Sequence, residues 1–118
     1  MTVIHQNDLI ESIAAALQYI SYYHPSDYIT HLARAYEREK SPAAKDAIAQ
    51  ILTNSKMSAT GKRPICQDTG IVNVFLKVGM NVRWEGFSAG LEDAVNEGVR
   101  RAYTHPDNTL RASVVGSA

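Results

Sequence analysis

One cysteine, Cys66, is the only thiol in the 118 residues of this sequence. An internal disulfide is therefore excluded, and the lone thiol is left as core filler, nucleophile or metal ligand, a pattern that suits a reducing compartment. Charge of one sign is missing too, since twelve Lys plus Arg balance twelve Asp plus Glu and the formal net charge is zero. No field is available to gather nucleic acid or an anionic membrane, so neither is an expected partner. Apolar runs never approach the ~20 residues that span a bilayer, and the first residues lack the basic-then-apolar pattern of a secretory leader. The reading is cytoplasmic. Internal repeats and low-complexity tracts are also absent.

What is present is ordinary for a globular chain, with 45% hydrophobic and 20% charged residues, enough to bury one core. The pattern predicts an α+β fold in which three N-terminal helices form a small bundle over residues 1–54. A cysteine loop follows over residues 55–70, and a mixed strand and helix part over residues 71–118. Leu9, Ile10, Ile13, Leu17 and Ile20 make the stripe of the first helix behind Asn7 as N-cap. The second opens after Pro25 with Ser26 or Asp27 as cap and carries Tyr28, Ile29, Leu32, Ala33 and Tyr36 on one side. Ser41 before Pro42 starts the third, whose stripe is Ala44, Ala47, Ile48, Ile51 and Leu52.

From Thr53 to Gly70 the periodicity breaks, because Asn54, Ser55, Ser58, Thr60, Gly61, Pro64 and Gly70 crowd a stretch that reads as a long loop. Residues 71–78 are rich in β-branched and aromatic side chains, and Gly79-Met80-Asn81 turns the chain toward Val82-Arg83-Trp84, so a strand pair is expected. Ser88 is the expected cap of a fourth helix with Leu91, Ala94, Val95, Val99 and Ala102 on its stripe. His105-Pro106-Asp107-Asn108 then ends it before a short strand over residues 110–115.

Chemistry concentrates in Gly61-Lys62-Arg63-Pro64-Ile65-Cys66-Gln67-Asp68-Thr69-Gly70, where the thiol stands beside an amide, a carboxylate and a hydroxyl. Loops on a strand scaffold are where such groups build sites. Positive charge from Lys62 and Arg63 would favour the thiolate, the form that attacks or binds metal. The competing reading is a buried small hydrophobe with polar turn residues around it. Thr60-Gly61-Lys62-Arg63 fails as a phosphate loop, lacking the earlier glycine and a Ser or Thr after the lysine. A cysteine nucleophile needs a histidine in reach, yet His5, His24, His31 and His105 all lie far along the chain at positions suited to surface or capping roles.

Arg63-Pro64-Ile65-Cys66-Gln67-Asp68-Thr69-Gly70-Ile71 resembles the signature loop of the class I, iron-sulfur-dependent fumarate hydratases and the related L-tartrate dehydratase α subunits. The likeness extends back from residue 56 to residue 28. It runs forward through Gly79-Met80-Asn81-Val82-Arg83-Trp84-Glu85-Gly86, Asn96-Glu97-Gly98-Val99-Arg100-Arg101 and Asn108-Thr109-Leu110-Arg111-Ala112-Ser113. The resemblance implies the N-terminal segment of a hydro-lyase that reversibly hydrates fumarate to L-malate, a step of the tricarboxylic acid cycle. It implies a [4Fe-4S] cluster in the full-length enzyme, held by three cysteines, with one iron open as a Lewis acid. Cys66 would be one of the three ligands. Gln67, Asp68 and Thr69 would line the substrate pocket, with Asp68 taking part in proton exchange. Arg111 would bind a substrate carboxylate through its guanidinium fork.

One thiolate does not hold a cluster, so the resemblance also implies that the rest of the enzyme or a β subunit supplies the other ligands. The isolated chain is then expected to be an inactive fragment without the cluster, from a protein that forms a homo-oligomer. Two alternatives accompany this reading: an L-tartrate dehydratase α segment, and a non-catalytic helical assembly or binding module whose cysteine is structural.

Overall fold

A computed structural model describes residues 1–65, 71–108 and 110. In chain order the elements are β1 (Thr2–His5), α1 (Gln6–Tyr22), α2 (Ser26–Arg38), α3 (Pro42–Gly61), β2 (Val82–Glu85) and α4 (Leu91–Thr104). The class is α+β, as the sequence pattern implies. The chain forms two compact units, one built from Met1–Tyr19 and the described residues beyond 70, the other from residues 20–65.

In the first unit the β-branched run Thr2-Val3-Ile4 favours extended backbone. It pairs in parallel with β2, Thr2 opposite Val82 and Ile4 opposite Trp84. The pair ends in a polar side-chain contact, with His5 Nδ1 at 3.3 Å from Glu85 Oε2. Behind it α1 and α4 pack closely. Ala94, Gly98 and Ala102 recur every four residues on α4 and are all buried, so they form one narrow stripe of small side chains. Against that stripe α1 sets Ile10 and Leu17, 3% and 6% exposed. A Cβ on Gly98 would fall 2.8 Å from Cβ and Cγ2 of Ile13 and 3.0 Å from the Ile10 carbonyl oxygen, so the two helices approach to a distance that only glycine permits.

Polar groups secure the carboxyl end of α4. Gln18 Nε2 donates to the Ala102 carbonyl at 2.7 Å, satisfying one of the last carbonyls that a helix cannot bond internally. Asn108 Nδ2 donates to the Tyr103 carbonyl at 3.0 Å, and Asn108 Oδ1 accepts from the Leu110 N–H at 2.8 Å. On the outer face Glu97 accepts from Arg100 Nη2 at 2.7 Å and from Arg101 Nε at 3.0 Å. These contacts, the Arg100 hydrogen bond first, lower its carboxyl from the ordinary 4.5 to about 2 and raise the Arg100 guanidinium.

The second unit pairs α2 with α3. Ser41 is the N-cap of α3, its Oγ accepting from the Ala44 N–H at 3.5 Å with Pro42 next, as the Ser-Pro signature predicts. No residue of α2 is buried, so it covers α3 only along an edge, where Lys45 Nζ sits 4.6 Å from the centre of the Tyr36 ring. His24 stacks on Tyr28 with ring centres 4.7 Å apart, and its Nδ1 meets Ser55 Oγ at 2.9 Å. This histidine is thus a packing residue of the unit rather than a surface one.

Several expectations are corrected. The loop placed from Thr53 onward is helix as far as Gly61. Asn54, Ser55, Ser58 and Thr60 read as loop formers, but Ser55 and Ser58 are buried at 8% and 2% exposure, and tertiary partners take the hydroxyls that would otherwise compete with the helix. Val82–Glu85 is a strand, but its partner is β1 and not residues 71–78, which carry no regular structure. The local hairpin signal is outbid by a pairing between segments 80 residues apart, which no local pattern reports. The fourth helix starts at Leu91 with Gly90 as N-cap at φ 97°, not at Ser88, because the chain enters it through a left-handed conformation open to glycine. The first helix starts at Gln6, so Asn7 lies inside it, and Ile20 on its expected stripe is 57% exposed. The strand expected over residues 110–115 lies outside the described residues apart from Leu110.

Candidate functional site

Cys66, Gln67, Asp68, Thr69 and Arg111, the residues that the sequence singles out, lie outside the described residues. What the structure does describe is the frame on which the cysteine loop is mounted. Helix α3 ends at Gly61, and Lys62 follows as its C-cap in the left-handed conformation, φ 50° and ψ 50°. Its N–H returns to the Ser58 carbonyl, and the Arg63 N–H reaches the same oxygen at 3.1 Å. One carbonyl therefore accepts two donors and turns the chain sharply off the helix axis. Ser58 Oγ adds a longer contact of 3.5 Å to the Pro64 carbonyl.

The residue just before the cysteine is fixed by a separate strut. The Ile65 N–H donates to the Ser21 carbonyl at 2.9 Å, and Ser21, at the end of α1, is 2% exposed. Backbone bonds of this kind hold a loop's base in register. No local signal marks Ser21 or Ser58 as anchors. A left-handed cap after Gly61 could have been suspected from Gly-Lys following a long helical run, but the glycine itself remains helical.

Alongside this base runs an open groove of about 550 Å³, lined by Asn54, Lys56, Met57, Ser58, Thr60, Gly61, Arg63 and Pro64. The stretch from residue 47 to residue 67 has three cations, Lys56, Lys62 and Arg63, and no acidic residue. Lys56 and Arg63 line the groove with no acidic side chain beside them, so it is locally positive in a chain whose total charge is zero, an arrangement that draws anions toward one place. A second groove, of about 480 Å³, lies at the carboxyl ends of the two strands and includes His5, Glu85 and Arg101. Its cation is already engaged, since Arg101 bonds Glu97 at 3.0 Å and lies 3.8 Å from Glu11.

No set of three His, Cys, Asp or Glu side chains comes together as a metal site among the described residues. With a single thiol in the whole sequence, this chain by itself does not fit a cluster that needs three cysteine ligands. Among the described residues no helix is long and apolar enough to cross a membrane.

The profile of the fumarate hydratase (Fumerase) family matches residues 10–118. The chain belongs to that family. It is 36% identical over 80 residues to a Methanocaldococcus jannaschii protein provisionally named L(+)-tartrate dehydratase subunit alpha. That match takes in 68% of this chain and 28% of the archaeal protein, so the chain spans less than a third of the relative's length. The family match includes the loop that carries Cys66 and the anchored base beneath it.

Proposed function

We propose that this chain is the part of an iron-sulfur hydro-lyase that presents one cysteine ligand and part of the substrate pocket, acting on a C4 dicarboxylate. The observation that carries the reading is the Cys-Gln-Asp-Thr-Gly loop, inside the family match and joined to a base braced by the Ser21 and Ser58 carbonyls. In this reading Cys66 is a metal ligand, and Arg111 pairs with a substrate carboxylate through two charge-assisted hydrogen bonds. Gln67 and Thr69 orient the substrate, while Asp68 holds or moves a proton as water adds across the double bond. The cationic stretch Lys56, Lys62 and Arg63 supports a dianionic substrate. A bound cluster would supply Lewis acidity; its remaining ligands come from outside this chain, from further sequence of the same polypeptide or from a β subunit. The enzyme would work in the cytoplasm as a homo-oligomer.

Fumarate hydrated to L-malate is the substrate pair the cysteine loop and the Asn81-Val82-Arg83-Trp84 stretch favour. The name of the archaeal relative favours L-tartrate, which differs from malate by one hydroxyl, so it stands as the second reading. The experiment is anaerobic reconstitution with iron and sulfide, on this chain alone and on the chain joined to the polypeptide carrying the other cysteines. The joined protein should gain cluster absorbance and turnover, lose both with Cys66→Ser, and show by relative kcat/KM whether fumarate or L-tartrate is preferred. The chain alone should retain no cluster. Full cluster content in the joined Cys66→Ser variant would end the proposal, as would a stable, active holo-form of the chain alone.

A further inference from the structure

The second unit buries hydroxyls where a core would bury hydrocarbon. Among residues 20–65 the buried ones are Ser21, Ser55 and Ser58 alone, whereas the buried aliphatic residues Ile10, Leu17, Ala94 and Ala102 all belong to the first unit. A buried hydroxyl adds little net stability when bonded and costs free energy when it is not. Three of them together serve placement better than cohesion. Their bonds converge on one short stretch. Ser55 and Ser58, three residues apart, share a face of α3, and Ser21 stands in the last turn of α1. Residues 62–65 are tied to both helices, and every backbone N–H they possess is bound. Lys62 and Arg63 donate to the Ser58 carbonyl, Ile65 donates to the Ser21 carbonyl at 2.9 Å, and Pro64 has no N–H to place. A single peptide link, about 3.8 Å between Cα atoms, then leads from Ile65 to Cys66.

The side chain that keeps the two helices in register is His24, three residues beyond Ser21. Its Nδ1 shares a 2.9 Å hydrogen bond with Ser55 Oγ, and its ring stacks on Tyr28 with centres 4.7 Å and planes 24° apart. The stack fixes the ring, and the ring fixes Ser55. We infer that His24 is a positioning residue for Cys66. By pinning the end of α1 to α3 through Ser55, it holds the Ser21 carbonyl in place relative to the Ser58 carbonyl and so fixes the peptide from which the thiol is presented. The inference rests on the reading of Cys66 as a metal ligand. A ligand on a fixed base binds with its ordering cost already met, and loss of an outer partner that orients a ligand commonly costs about 10–100-fold in metal affinity.

The test is backbone amide exchange of the chain, resolved by residue with NMR. His24→Phe keeps an aromatic face on Tyr28 and removes the nitrogen. In it the Ile65 amide should exchange about 10-fold faster, the effect of losing one hydrogen bond and leaving a buried hydroxyl unmet, while the amides of α4 in the other unit keep their parent rates. His24→Asn, whose amide takes the place of Nδ1, should bring Ile65 back toward the parent rate. Ser55→Ala should copy His24→Phe, and the double variant should be no faster than either single, because both remove the same bond. In the protein joined to the polypeptide carrying the other cysteines, His24→Phe should release iron to a chelator about 10-fold faster, with His24→Asn close to the parent. Unchanged Ile65 exchange in His24→Phe would overturn the inference. So would equal acceleration in both units, no recovery with His24→Asn, or iron release at the parent rate despite faster exchange. Full cluster content in the joined Cys66→Ser variant would remove the ligand reading and this inference with it, a failure told apart by Ile65 exchange that still responds to His24→Phe.

Discussion

Replacing Gly98 with alanine sets two effects against each other whose sizes can be worked out beforehand. In a helix interior alanine is better than glycine by about 1 kcal/mol, through lower backbone entropy in the unfolded chain. Against that, the new methyl would lie 2.8 Å from Cβ and Cγ2 of Ile13 and 3.0 Å from the Ile10 carbonyl oxygen. A branched carbon fixed to the backbone cannot swing aside, so α1 and α4 must separate, at the upper end of the ~1–3 kcal/mol that overpacking costs. The net expectation is a loss of about 2 kcal/mol, or roughly 10 °C in Tm for a chain of this size. Urea unfolding followed by circular dichroism measures it. Ile13→Ala should be destabilising alone and removes only the Cγ2 contact, since alanine keeps the Cβ and the Ile10 carbonyl stays in place, so the double variant should still be less stable than Ile13→Ala by about 1 kcal/mol. A Gly98→Ala protein as stable as the parent, or more so, would show that the close approach of the two helices has been misjudged.

Two further outcomes are expected. Lys62→Gly should stabilise the second unit by about 0.5–1 kcal/mol, because a left-handed lysine costs more than the extra unfolded-state entropy of glycine; an unchanged or lower urea midpoint would contradict the left-handed cap. Glu97 has a folded-state pKa of about 2 against an ordinary 4.5, so its contribution is fully present above the unfolded value and is lost as pH falls from 4.5 through 2. Thermal melts of the parent and Glu97→Gln should therefore differ at pH 6 and converge near pH 2, with the gap shrinking in high salt because the pairs are exposed.

Much of the helical skeleton was legible because it is written in local terms. Ser41-Pro42 marks a helix start wherever it occurs, and Ile10, Ile13 and Leu17 recur at a spacing only a helix brings to one side. What escaped was non-local. That Ser55 and Ser58 belong to a helix depends on His24 and Pro64 taking up their hydroxyls, and that β2 pairs with β1 depends on residues 2–5. Gly98 showed the same limit: the expected stripe on α4 named its larger members and passed over the one whose missing side chain sets the helix separation. For the candidate site, the motif pointed to Cys66 through resemblance, whereas the Ser21 and Ser58 anchors of its base became visible only with coordinates.

The parallel pairing of the first residues with β2 makes one unit discontinuous along the chain, with the other nested inside it. During synthesis the nested module, which runs to residue 68, can fold while the outer one still lacks a strand and a helix. The outer unit closes only after α4 has left the ribosome, and its first four residues must wait unpaired until then. Trimming those residues should therefore leave the nested module's cooperative melt intact and abolish the outer one, an asymmetry that follows from topology rather than from any single contact.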